Sequence, residues 1–223
     1  MRRATKVGQK LSSHLESVRE DYVASVCERF GVYKTMYGTD VGAFVNMDET
    51  AVFFESKGKG TASEKGKRTV AVRSSGSNDA CATVCLAAAA DGTKLPSFII
   101  SKGKPGATIE RRLTDVIDEC VVFATQSRGW QNTSAMSAWI EKIWKPYIAS
   151  TLSKPSLLLL DEFKCHIQGA IGGGLAGVAT ELELIPGGYT CVLQPMDVGV
   201  NKPFKDRARQ RYMEWAVQNL SGS

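Results

Sequence analysis

Leu157-Leu158-Leu159-Leu160-Asp161 is an apolar run that ends in a carboxylate. A short run of this kind, bounded by polar residues, is typical of a strand buried on both faces of a sheet. A carboxylate at the end of a buried strand is costly unless a positive group holds it, and hard divalent metals with oxygen ligands are the usual holders. The stretch therefore predicts a strand that delivers an acid to one end of a sheet.

Two further aspartates occupy similar positions. Asp48 lies in the apolar stretch 43–50, and Asp197 follows the apolar stretch 192–196. Three such carboxylates can hold two divalent ions about 4 Å apart, the arrangement used for in-line phosphoryl transfer. A plainer alternative stays open, because an aspartate after a strand is often a helix N-cap or a turn residue.

The first half of the chain predicts one helix followed by antiparallel strands. Apolar residues at steps of three and four predict an amphipathic helix over 11–30, and strand-forming residues fill 43–55. The Gly/Lys/Ser-rich segment 56–67 predicts a loop, and 69–72 a second strand. Asp91-Gly92 joins two apolar runs, 80–90 and 95–100, which is a strong hairpin signal.

The second half predicts alternating helices and strands. We expect a helix over 132–151, capped near Asn132, with Met136, Trp139, Ile140, Ile143 and Trp144 on its apolar face and a kink or end at Pro146. Strands at 157–160 and 181–185 enclose a glycine-rich helix over 164–178. A last helix starts near Pro203 and carries Phe204, Ala208, Tyr212 and Trp215 on one face. The fold class is therefore α/β, with a mixed sheet of hairpin strands first and βαβα later, and helices on both faces.

Composition narrows the classes of protein. With 223 residues, 43% of them apolar, the chain is long enough for one full domain. It has no apolar run long enough to span a bilayer and no secretory signal, so we expect no membrane. Six scattered cysteines and two histidines give no zinc spacing, which predicts reduced cysteines inside a cell. Three of the four tryptophans, at 139, 144 and 215, are expected to pack in the core.

A formal net charge of +5 is clustered rather than spread. Clustered positive charge suits a polyanion such as DNA, because neutralised phosphates release condensed counterions. The candidate DNA-binding residues lie in two loops and at the start of the last helix: Lys57, Lys59, Lys65, Lys67, Arg68, Lys102, Lys104, Lys202 and Lys205.

Several of these motifs, taken in order, resemble a known family. They are Asn46-Met47-Asp48-Glu49-Thr50, Gly92-Thr93-Lys94-Leu95-Pro96 with Lys102-Gly103-Lys104, Gly129-Trp130, Leu158-Leu159-Leu160-Asp161 with His166, Ile185-Pro186-Gly187-Gly188, and Leu193-Gln194-Pro195-Met196-Asp197-Val198-Gly199-Val200. Together they resemble the DDE-superfamily endonuclease domain of pogo/Tigger-type transposases, which are related to centromere protein B. The last motif is the most specific of the set.

The resemblance implies an RNase H-like fold, two Mg²⁺ or Mn²⁺ ions, and DNA strand cleavage and transfer. It also implies that Asp48, Asp161 and Asp197 are both the catalytic acids and the metal ligands. The protein is then expected to act on DNA in the nucleus, and a homodimer is a possible assembly. A domesticated or decayed relative that binds DNA without cutting it is the alternative. Glu162-Phe163-Lys164-Cys165 departs from the small polar residues that the family commonly carries there.

The resemblance also suggests a division of the chain. Family members usually open with helix-turn-helix DNA-binding domains, whereas only the amphipathic segment Leu11 to Phe30 precedes Asp48 here. We therefore expect residues 1–40 to be a helix and linker left from the segment after a missing helix-turn-helix region. Residues 41–223 are expected to form the DDE RNase H-like catalytic domain.

Overall fold

The computed structural model describes residues 13–37, 41–53, 81–106, 108–114, 118, 120–127, 129, 132–151, 155–162 and 169–220. The chain divides into two compact units, Met1–Val41 and Gly42–Ser223. In the first unit, the helix α1 spans Ser13–Tyr37. A helix is thus confirmed over the described part of the predicted segment 11–30, and it ends later than predicted, at Tyr37. Val18, Tyr22 and Val26 are half-buried, as the predicted apolar face requires.

A six-stranded mixed sheet organises the second unit. Its strands are β1 (Phe44–Phe53), β2 (Cys81–Ala89), β3 (Ser97–Lys102), β4 (Val121–Gln126), β5 (Ser156–Asp161) and β6 (Thr180–Ile185), in the spatial order β4-β3-β2-β1-β5-β6. Only β2 is antiparallel to its neighbours, so the other five strands run in one direction. Their carboxyl ends therefore point to the same edge of the sheet, which is where open α/β sheets bind ligands.

The hairpin predicted at Asp91-Gly92 is confirmed. Gly92 has a φ of +90°, a left-handed conformation that glycine adopts without a steric penalty. The Asp91 carboxylate accepts a hydrogen bond from the Thr93 N–H at 2.8 Å, and Ala89 N–H donates to the Thr93 carbonyl. Strands β2 and β3 then pair antiparallel, with Thr83 opposite Ile100.

The helix predicted over 132–151 forms as three segments, α3 (Thr133–Trp139), a π turn (Ile140–Trp144) and α4 (Lys145–Thr151). Asn132 is the N-cap, with its side chain accepting from Ala135 N–H. Pro146 does not end the helical run, which continues to Thr151, and the π turn immediately before α4 interrupts the regular α-helical hydrogen bonding. All five residues of the predicted apolar face are buried: Met136, Trp139, Ile140, Ile143 and Trp144.

The elements around β5 and β6 match the predicted alternation. The helix α5 spans Gly169–Ala176 and packs against β6. Among the described elements that the sequence patterns did not predict are the helix α2 (Thr108–Thr114) and the strand β4. The predicted loop at 56–67 and the predicted strand at 69–72 lie outside the described residues.

The last part of the chain confirms one prediction and corrects another. After the short helix α6 (Thr190–Leu193), a π turn (Met196–Val200) leads directly into α7 (Asn201–Leu220), which confirms a final helix that begins near Pro203. Phe204 packs on the cluster of Val84, Leu86 and Met196. Tyr212 and Trp215 instead stack on each other, with ring centroids 6.0 Å apart, and are exposed. The expectation that Trp215 packs in the core is therefore wrong, because the apolar face of α7 extends past the sheet cluster that covers Phe204.

None of the described helices is long and apolar enough to cross a membrane.

Candidate active site

Asp48 lies in the middle of β1 and is only 8% exposed. It is opposite Leu86 of β2, and its side chain is on the same face as Asn46 and Val52, since alternate residues of a strand share a face. This is the face on which Met196 and Phe204 pack. The strand therefore delivers a carboxylate beneath the segment that carries Asp197.

Two buried amide side chains fasten that segment to the sheet. Asn46 donates to the carbonyl of Leu159 at 3.0 Å and to Oε1 of Gln194 at 3.2 Å, and its oxygen accepts from Met196 N–H at 3.0 Å. Gln194, which is fully buried, donates to the carbonyl of Met47 at 3.1 Å. The amides of Asn46 and Gln194 thus link β1, β5 and the start of the Met196–Val200 π turn.

A third amide joins two of the predicted catalytic acids. Nδ2 of Asn201, the first residue of α7, donates to Oδ2 of Asp48 at 2.5 Å and to Oδ1 of Asp197 at 2.9 Å. Asn201 is 2% exposed, whereas Asp197 is exposed. Asp48 and Asp197, distant in sequence, therefore share one buried amide group, which we call the amide clamp.

The pKa of Asp48 is raised to about 6 by burial and, secondarily, by the negative charge of Asp197, and hydrogen bonds from Asn201 and Gln194 oppose this rise. Burial penalises the ionised carboxylate because it loses its hydration. A cation placed between the two carboxylates would relieve both causes of the rise at once. The electrostatics of the pair therefore favour a bound positive charge.

Asp161 is the last residue of β5, the parallel neighbour of β1. The register pairs Asn46 with Leu159, and Asp48 and Asp161 each lie two residues further along their strands. Because alternate residues of a strand share a face, both aspartates project from the face of the sheet that carries Asn46 and Leu159. Asp161 is half-buried. Its neighbour Glu162 accepts a hydrogen bond from Gly187 N–H at 2.9 Å, which ties the end of β5 to the turn after β6.

The three acids do not form a single metal-binding group in this structure. Within the part of the chain that the structure describes, no group of three or more His, Cys, Asp or Glu residues is arranged to hold a metal ion. The amide clamp brings Asp48 and Asp197 together, and the register places Asp161 on the adjoining strand.

The predicted DNA-binding lysines fall into two groups. Lys102 ends β3 at the carboxyl edge of the sheet, and Lys104 is exposed in the loop that follows. Lys202 and Lys205 lie in the first two turns of α7, and Lys202 forms an exposed 2.7 Å ion pair with Asp206. The remaining candidates lie outside the described residues: Lys57, Lys59, Lys65, Lys67 and Arg68.

The DDE superfamily endonuclease family matches residues 78–222, which is more than half of the chain. The chain belongs to this family. The matched range includes Asp161 and Asp197 and begins after β1, so Asp48 lies outside it.

Two curated relatives, each called pogo transposable element with KRAB domain, are 27% identical to this DDE domain over 220 residues in Mus musculus and in Homo sapiens. The alignment covers 97% of this chain and 34% of each relative, so the chain spans about a third of their length. The relatives are thus transposon-related proteins much longer than the part compared.

Solved structures of Mos1 transposase show the same fold. The paired-end complex with the left transposon end is 15% identical, with a TM-score of 0.56 over 100% of this chain and 60% of the Mos1 chain. The mariner Mos1 paired-end complex with Mg is 13% identical, with a TM-score of 0.57 over 98% of this chain and 60% of the other. These similarities show that the mixed sheet with its flanking helices is RNase H-like.

The residues present fit a hard divalent cation. Carboxylate oxygens are the ligands that Mg²⁺ prefers, and the clamped pair offers two such groups whose charge is poorly compensated. Asn46, Gln194 and Asn201 received no role from the sequence patterns, although all three are polar residues next to the predicted acids. The available signals were amides inside apolar strand-like runs and the four-residue spacing of Asp197 and Asn201, which puts both on one helix face.

Proposed function

We propose that this chain forms the catalytic domain of a metal-dependent transposase that cuts DNA strands and transfers them, with Asp48, Asp161 and Asp197 as ligands of two Mg²⁺ or Mn²⁺ ions. The observation that carries the proposal is the amide clamp, which joins two sequence-distant carboxylates on an RNase H-like sheet. A domain without a site at this position would have no need to bury Asp48 next to another acid, because such an arrangement costs stability.

Each part of the chain has a definable task in this proposal. Bound ions would supply the chemistry, lowering the pKa of the attacking water or hydroxyl and stabilising the leaving oxygen. Hydrogen bonds of Asn46 and Gln194 hold the start of the π turn against β1, and this contact sets the position of Asp197. Asp161 completes the ligand set from β5, with Glu162 holding the end of that strand.

The proposed substrate is DNA, bound through its backbone. Lys102 and Lys104 lie at the carboxyl edge of the sheet, and Lys202 and Lys205 begin the helix that follows Asp197. Positive side chains at these positions would contact phosphates on either side of the acids. Such contacts position a duplex but carry little sequence information. A chromosomal DNA substrate also makes the nucleus the expected location.

Nicking of supercoiled plasmid by the purified chain in Mn²⁺ tests the catalytic proposal. Asp161→Asn should abolish nicking, because it removes a charged ligand without changing side-chain shape, and Asp118→Asn, in an exposed position, should nick like the wild type. Equal nicking by the wild-type chain and Asp161→Asn would show that the activity does not come from this site.

The salt dependence of duplex binding tests the proposed role of the lysines. Replacing both Lys202 and Lys205 by Gln should reduce the slope of log affinity against log salt by about 0.9 for each phosphate that the variant no longer neutralises, for any duplex sequence. Lys34→Gln on α1 is the matched control and should leave the slope unchanged. A strong preference for one short duplex that persists at high salt would contradict backbone binding.

A domesticated protein that binds DNA without cutting it is the second candidate. One observation favours it, namely that the described residues hold two acids together and not three. In that case the wild-type chain would bind duplex DNA with the salt dependence given above and would not nick it in Mg²⁺ or Mn²⁺.

A further inference from the structure

The amide clamp contains an unsatisfied atom. Oδ1 of Asn201 is buried, and among the described residues it has no hydrogen-bond partner. Its Nδ2, in contrast, serves two carboxylates. A buried carbonyl oxygen without a hydrogen-bond donor is destabilising. In its present orientation the amide therefore satisfies its nitrogen and leaves its oxygen without a partner.

The same amide group lies between the two carboxylates, where a cation bound by both of them would lie. Its N–H groups point at Oδ2 of Asp48 and Oδ1 of Asp197, and they place a positive partial charge between those two carboxylates. A cation bound by both oxygens would face those N–H hydrogens, which is repulsive. Rotation of the amide about its last side-chain bond exchanges the positions of nitrogen and oxygen without moving the backbone of α7.

We propose that Asn201 supplies a neutral oxygen ligand to the divalent cation held by Asp48 and Asp197. Without the cation its amide donates to both carboxylates, and with the cation the amide is rotated so that Oδ1 faces the ion. Amide carbonyl oxygens are ordinary ligands of hard cations, and a neutral ligand adds coordination without adding charge repulsion to a buried pair of acids. This inference rests on the proposed metal site and assigns Asn201 to it.

The geometry of the surrounding residues keeps Asn201 in place for this role. It is the first residue of α7, and its N–H donates to the carbonyl of Met196 at the start of the π turn. Met196 is in turn fixed by Asn46 of β1. The backbone of Asn201 is therefore held in place, while its side-chain amide can rotate about its last bond. This rotation is sufficient to exchange the donor Nδ2 for the acceptor Oδ1.

Mn²⁺ titration of the purified full chain, followed by the electron paramagnetic resonance signal of free Mn²⁺, tests the proposal. Asn201→Ala removes the oxygen and should weaken Mn²⁺ binding at least about tenfold, as expected for loss of a group that supports a metal site. Asn219→Ala, on the exposed end of the same helix, is the matched control and should bind like the wild type. If the amide only competes with the metal for the carboxylates, Asn201→Ala binds Mn²⁺ as tightly as the wild type or more tightly, and the proposal is overturned.

Asn201→Asp keeps Oδ1 and replaces the NH₂ group by a second oxygen, so the ionised side chain can act only as an acceptor. Its melting temperature without divalent metal should fall below that of the wild type, and saturating Mn²⁺ should raise it by more than it raises that of the wild type. An equal or smaller rise would overturn the proposal. If Asn201→Ala does not fold, Asn201→Ser is judged by the same affinity criterion.

The proposed metal site has its own control. Asp48→Asn should lose Mn²⁺ binding whether or not Asn201 is a metal ligand. Unchanged binding in Asp48→Asn refutes the metal site itself, whereas loss in Asp48→Asn with wild-type affinity in Asn201→Ala refutes only the role of Asn201.

Discussion

The two sides of the candidate site differ in the structural elements that carry their acids. On one side, Asp48 and Asp197 are joined by Asn201, and Asn46 and Gln194 lock the π turn that carries Asp197 onto the sheet. On the other side, Asp161 ends β5, and its neighbour Glu162 makes one exposed hydrogen bond to the turn after β6. The clamped side is built from buried amides, and the other side is built at the edge of the sheet.

This difference indicates a division of labour. A buried amide network is destabilising when its hydrogen bonds are incomplete, whereas a complete network makes the side chains that it joins rigid. The clamped pair is positioned before any ligand arrives, and Asp161 would complete the proposed ligand set from the neighbouring strand β5.

Gln194→Leu should lower the free energy of unfolding by about 2–3 kcal/mol, because it leaves the carbonyl of Met47 and part of the Asn46 amide without partners in a buried position. Urea denaturation measures the change. Gln210→Leu, an exposed glutamine on α7, should change stability by less than about 0.5 kcal/mol. Equal effects of the two substitutions would mean that the clamped side is no more rigid than the surface.

Asp48→Asn should stabilise the metal-free chain at pH 7.5 by about 2–3 kcal/mol. The pKa of Asp48 is about 6 in the folded protein against an ordinary value of 3.8, so the folded state holds its proton more tightly than the unfolded state. The stability that this proton provides is complete below pH 3.8 and is lost as the pH rises through 6. The advantage of the variant should therefore shrink toward zero at about pH 4.

Urea denaturation in EDTA at the two pH values measures this effect, with Glu28→Gln on the exposed surface of α1 as the control. A variant no more stable than the wild type at pH 7.5 would show that ionised Asp48 is not strained by burial and by Asp197.

Glu162→Ala should have the smallest effect, a loss of less than about 1 kcal/mol, since the hydrogen bond to Gly187 N–H is exposed. We expect plasmid nicking to fall with it, because the end of β5 loses its tie, while Mn²⁺ affinity at the clamped pair changes little. Glu162→Gln keeps an acceptor oxygen and should behave like the wild type. A larger loss of stability than in Gln194→Leu would reverse the comparison between the two sides.

Local signals in the sequence predicted much of the fold. Asp91-Gly92 determines a hairpin by its own backbone preference, and the spacing of Met136, Ile140 and Ile143 determines a buried helix face. The strand β4 was missed because its half-buried residues show no strict alternation of apolar and polar side chains. Trp215 was misplaced because the helical period identifies an apolar face but not what covers it.

Of the residues in the candidate site, the sequence patterns pointed only to the acids. Asp48, Asp161 and Asp197 stand out because carboxylates in apolar runs are rare and costly. Asn46, Gln194 and Asn201 act through hydrogen bonds between residues about 150 positions apart, such as that from Asn201 to Asp48, and no local pattern records these contacts. Amide side chains are also common at caps and turns, so their burial and pairing needed the structure.

The most direct test of the central claim is anomalous X-ray diffraction from crystals of the chain soaked in Mn²⁺. We expect an anomalous peak in contact with the carboxylates of Asp48 and Asp197, with Asp161 as a further ligand. Mn²⁺ peaks elsewhere on the surface, with Asn201 still donating to both carboxylates at a saturating Mn²⁺ concentration, would contradict it.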